Sequence, residues 1–152
     1  MNTVHELPSF PFGSSLEIQH RSLHAMMSWL ESELERQERL GAEHDGPILG
    51  PLRSLARSLA SHFEDEERTG FAAARDQGLG DRVDGLEAQH RDLLQRVQGL
   101  IDGYEHAAQP GVELDPELPR SLRGLFADLR AHDRAEHEVL HLVHREPSQE
   151  GA

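Results

Sequence analysis

His62-Phe63-Glu64-Asp65-Glu66 and His132-Asp133-Arg134-Ala135-Glu136 decide the fold of this chain. Each places a histidine and a glutamate four residues apart. On a helix that spacing puts the two side chains on one face, about a turn apart. Working outward, the flanking apolar residues recur at steps of three or four. The first stripe reads Leu52, Leu55, Leu59, His62, Glu66, and the second Leu118, Leu122, Leu125, Leu129, His132, Glu136, Val139, Val143. Histidine and glutamate thus stand where leucine is expected, on the stripe a helix turns toward a partner. A buried carboxylate is expensive unless it is paired or binds a metal. Two of them, each one turn from a histidine, call for a shared explanation.

Two further stripes complete the pattern: Leu16, His20, Leu23, Met27, Leu30, Leu34, and Val83, Leu86, His90, Leu93, Val97, Leu100, Tyr104. An offset of 70 residues relates the halves, taking His20 to His90, His62 to His132 and Glu66 to Glu136. Leu16, Glu17, Gln19, Arg21 and Leu23 map onto Leu86, Glu87, Gln89, Arg91 and Leu93, and Leu52, Arg53, Leu55 and Leu59 onto Leu122, Arg123, Leu125 and Leu129. Turn signals separate four helices, predicted over about 15–40, 48–76 (with fraying near Gly70), 81–108 and 116–144. Ser14 with Glu17 reads as a capping box, and Asp115-Pro116 as a helix start. The expected fold is all-α: an up-down-up-down four-helix bundle with an internal two-hairpin repeat. Residues 1–14 are expected as a lead-in, 15–144 as the bundle and 145–152 as a loose tail. A pseudo-twofold axis between the hairpins would bring two equivalent ligand sets face to face.

Composition narrows the function. Of the 152 residues, 28 are acidic and 15 basic, for a net charge of −13. That balance argues against nucleic acid, which needs clustered cations. There is no cysteine, which excludes disulfides, iron–sulfur clusters, thiolate-bound zinc and a thiol nucleophile. Any metal must use histidine and carboxylate, as iron, manganese and zinc do. The start of the chain lacks the signature of a signal peptide, and no apolar stretch is long enough to span a membrane. The expected location is the cytoplasm.

The order His20, His62-xxx-Glu66, His90, His132-xxx-Glu136 resembles the hemerythrin-like, HHE cation-binding family, over roughly Ser15 to His144. The resemblance implies a non-haem di-iron centre. In the oxygen-carrying members five histidines and two bridging carboxylates hold the irons. One iron has three histidines; the other has two and an open position where O2 binds. This chain departs from that pattern twice. The extra histidine of the second repeat, expected one turn after His90, is Leu94, whereas the same place in the first repeat is His24. The second carboxylate follows its histidine by four residues, not five, and His137 stands at the fifth. The expected ligands are therefore His20, His24 and His62 on one metal and His90 and His132 on the other, with Glu66 and Glu136 bridging. Two iron ions are expected, zinc or manganese being the alternatives.

Three functions follow, in order. The first is binding or sensing of O2 or a related small molecule such as NO or peroxide. The second is a di-iron redox enzyme, for example one that decomposes peroxide; no dedicated acid–base residue is legible for it. The third is a metal-free interaction or phosphotransfer bundle. His137, His141 and His144 read as a solvated helix end, His5, His44 and His106 as surface residues, and Trp29 and Tyr104 as packing. Of Glu64-Asp65-Glu66-Glu67, only Glu66 falls on the seam.

Overall fold

The structure is a computed structural model that describes residues 14–41 and 47–150, with side chains over 15–41 and 47–143. The expected lead-in, His5, His44 and the side chains of Ser14 and His144 lie outside those residues. The helices are α1 (Ser14–Leu40), α2 (Leu49–Arg68), α3 (Gly70–Asp76), α4 (Gly80–Ala107) and α5 (Glu117–Glu150). No strand occurs among the described residues. The helix expected over 48–76 is two helices that meet at Thr69, and α5 runs on past the expected end at His144 to Glu150.

The break has a local cause. Asp65 O accepts from both the Thr69 N–H (3.1 Å) and the Thr69 hydroxyl (2.7 Å). A hydroxyl that competes for a helical carbonyl bends the backbone. The next residue, Gly70, is buried and brings no side chain into the bend. At the end of α3, Leu79 N donates to Ala74 O and Gly78 N to Arg75 O. Gly78 has φ +84°. This is a Schellman cap, and glycine suits its left-handed position.

Neighbouring helices are antiparallel, and α1 packs on α2, α2 on α4, α4 on α5 and α5 back on α1. Rim ion pairs mark the register: Arg53 with Glu105 across α2 and α4, Glu38 with Arg123 across α1 and α5, and Glu31 with Arg130 at 2.6 Å. Leucines of all four seams fill the core, as period-3.6 stripes require. Leu118 is the exception, being only partly buried, while Tyr104 is buried and Trp29 is exposed.

The core falls into two clusters. The larger holds Leu23, Leu59, Leu93 and Leu129 at one of its ends; the smaller holds Phe71, Leu86, Val139 and Leu140. His20, His62, Glu66, His90, His132 and Glu136 form the layer between them. Apolar packing thus closes that layer on both sides along the bundle axis. No helix among the described residues is long and apolar enough to cross a membrane.

Phe126 is fully buried in the larger cluster. Phe126→Ala is expected to destabilise the protein by about 3–5 kcal/mol, from lost burial plus the residual cavity; urea melts check this.

Candidate metal centre

The two His/Glu pairs of the polar layer are built alike. His62 Nε2 lies 2.9 Å from Glu66 Oε2, and His132 Nε2 lies 3.0 Å from Glu136 Oε2. His90 Nε2 faces both carboxylates, at 3.4 Å from Glu66 and 3.3 Å from Glu136. Glu66, His90, His132 and Glu136, all buried, present ligand atoms within 4.8 Å of one another. His20 Nε2 points instead to Asp133 Oδ2, at 3.2 Å. That same oxygen accepts a hydrogen bond from His24 Nε2 at 2.7 Å. These three form a second group of possible ligands within 4.8 Å.

The outer nitrogens decide what the inner ones can do. His62 Nδ1 lies 2.8 Å from Gln19 Oε1, and Gln19 Nε2 donates to Asp65 Oδ2 at 2.8 Å. Asp65 can only accept, so it turns the amide nitrogen toward itself and the carbonyl toward His62. His62 Nδ1 must then carry the hydrogen, which leaves a lone pair on Nε2. His132 Nδ1 meets Gln89 Oε1 at 2.6 Å, the repeat-related arrangement. His90 Nδ1 donates to Glu67 Oε2 at 2.7 Å. Outer partners of this kind fix ring orientation and tautomer in metal sites.

His62 Nε2 and both Glu66 oxygens are buried and make no hydrogen bond. A nitrogen lone pair 2.9 Å from a carboxylate oxygen is repulsive unless a cation or a proton lies between them. That is the observation that fits this layer to a metal. The donors, imidazole nitrogen and carboxylate oxygen, suit iron, manganese and zinc.

The electrostatics agree. Burial pushes Glu66 up to about 7 from its ordinary 4.5. Burial, and then the Glu66 charge, push Glu136 up to about 7 as well. Burial lowers His20 from 6.5 to about 4, against the pull of Asp133, and it lowers His62. At His132 burial opposes the charge, but the hydrogen bond and charge of Glu136 outweigh it, and the group is raised.

All six seam residues named from the sequence are buried in this one layer. His24 is partly exposed, at 33%, and touches Asp133 rather than the glutamates. Asp133, Glu67 and Asp65 escaped the sequence reading because each sits one residue off a stripe that only seam positions define. The matched pair Gln19 and Gln89 was visible, but only as a repeat. His137, expected at a solvated end, is half-buried, and its charge acts on His20. His141 is exposed, 6.1 Å from it.

Four packed helices around a buried His/Glu layer fit a metal-binding bundle. The Hemerythrin HHE cation binding domain matches residues 14–142, most of the chain, and the protein belongs to that family. Neither the curated proteins nor the solved structures gave a match.

The raised glutamates favour the metal-free fold while protonated, a contribution complete below pH 4.5 and lost as pH rises through about 7. His20 acts oppositely: its contribution is complete above 6.5 and lost as pH falls to about 4. Above pH 6.5 the glutamates therefore govern. The metal-free protein is expected to lose melting temperature from pH 6.5 to 8, and divalent metal to raise it more at pH 8 than at pH 6. Circular-dichroism melts with and without chelator check this.

Proposed function

We propose that the protein is a non-haem di-iron protein that binds or senses O2 or a related small molecule, NO or peroxide. The observation that carries the reading is the pair of repeat-related histidine sets around two buried glutamates, with lone pairs turned inward. His20, His24 and His62 hold one iron. His90 and His132 hold the other, which keeps an open position. Glu66 and Glu136 bridge, offsetting the charge of both ions. When bound, the irons supply electrons and a place for a small ligand.

The remaining work falls to the chain. Gln19, Gln89 and Glu67 keep three imidazoles in the ligating tautomer. Leu23, Leu59, Leu93 and Leu129 on one side, and Phe71, Leu86 and Val139 on the other, keep bulk water from the layer. A cavity of about 20 Å³ at the layer, lined by His20, His24, His62, His132 and Asp133, has room for one ion or water-sized occupant and none for a substrate of several carbons. A peroxide-decomposing enzyme is the second reading, favoured by the same lack of room for a larger substrate. Phosphotransfer through the repeat histidines would need an exposed imidazole, and all four are buried.

Protein expressed with iron is expected to hold two irons per chain and to show oxo-bridged ferric bands under air. His62→Ala and His132→Ala are each expected to lose at least one iron. Their iron-loaded melting should also fall toward that of the metal-free protein, since metal bound only to the fold stabilises it by about 2.7 kcal/mol at a hundredfold excess over Kd. Unchanged iron and melting in both variants would refute the assignment.

A further inference from the structure

Two residues able to bind metal break the 70-residue repeat at the polar layer and come together. His24 stands opposite Leu94, and Asp133 opposite Phe63. The two departures lie on different helices, far apart in sequence, yet their side chains meet at 2.7 Å. They meet beside His20, whose Nε2 lies 3.2 Å from the same Asp133 oxygen. At the repeat-related end of the layer the equivalent places are apolar. Phe63 stacks flat on His90, with ring centroids 3.8 Å apart and planes 7° from parallel, and Leu94 packs on the core.

A second observation points to an ion at the polar end. The cavity of about 20 Å³ is lined there by His20, His24, His62 and Asp133, and a volume of that order holds one water-sized occupant. One carboxylate oxygen facing two imidazole nitrogens, with a third imidazole on the same cavity, is a donor set that suits a divalent cation.

We infer that Asp133 is a direct ligand of the metal held by His20, His24 and His62, so that the centre carries three carboxylates and its two ions differ in kind. This rests on the proposed di-metal reading. The ion at the Asp133 end has four terminal protein ligands. The ion at His90 and His132 has two, and an aromatic and an aliphatic side chain stand where its partner has ligands. The exogenous small molecule is thereby assigned to the His90 and His132 end. A third carboxylate also leaves two divalent ions with less uncompensated positive charge, which favours their oxidised state.

Cobalt(II) titrated anaerobically into the metal-free protein tests the assignment, because its visible bands report coordination number and donor type. The wild type is expected to take up two equivalents. Asp133→Asn keeps the shape and size of the side chain and removes its charge. It is expected to weaken one site at least tenfold, to change the bands of that site toward lower coordination number, and to spare the other. His24→Gln should affect the same site, and His90→Gln the other. Melts of the metal-free variants report folding separately. Asp133→Asn binding two cobalt ions with unchanged bands would overturn the inference even with lower affinity, since Asp133 would then only position His24. Equal loss of both sites with a collapsed melt would overturn it as well, making Asp133 a folding residue. Failure of the wild type to bind cobalt would sink the di-metal reading itself, and the inference with it.

Discussion

Two glutamates, Glu66 on α2 and Glu136 on α5, are almost wholly withdrawn from water, at 0% and 1% exposure. Burial raises the tendency of both to stay protonated, and the Glu66 charge adds to it at Glu136; among the described residues their ion-pair partners are the imidazoles of His62, His90 and His132. Burying two such groups among leucines is unfavourable on its own. The rest of the layer is arranged around that constraint. Lone pairs that point at carboxylates are relieved only when a cation or a proton occupies the space between them.

The supporting contacts explain how the layer keeps its shape. A chain runs from Asp65 to Gln19 to His62, and shorter ones run from Gln89 to His132 and from Glu67 to His90. Each ends on Nδ1, so Nε2 stays turned inward. The partners come from neighbouring helices, so the tautomers depend on the packing of the bundle. Core packing and ligand chemistry are therefore coupled, and loosening one loosens the other.

The 70-residue repeat carries the symmetry of the layer, and the residues that break the repeat carry its asymmetry. Both halves keep the histidine, the His/Glu pair and the glutamine. They differ where the first half has His24 and Phe63 and the second Leu94 and Asp133, so that His24 and Asp133 meet at one end of the layer and Phe63 and Leu94 stand at the other. The layer is therefore polar at the end of His24 and Asp133 and covered by Phe63 and Leu94 at the other.

The sequence by itself determined the helices, the seams and the six buried polar residues. Those are properties of one helix at a time: a period of 3.6 residues fixes which side chains share a face, and the offset of 70 pairs the faces. The family resemblance rested on the same residues. Only the tertiary structure decided that Asp133 meets His20 and His24, and that Glu67 and Asp65 are anchors rather than solvated acids. Asp133, Glu67 and Asp65 each lie one position off the seam. Whether such a side chain turns to solvent or to a neighbour depends on how helices are rotated and spaced against each other, which is set by packing between elements and leaves no period in the chain.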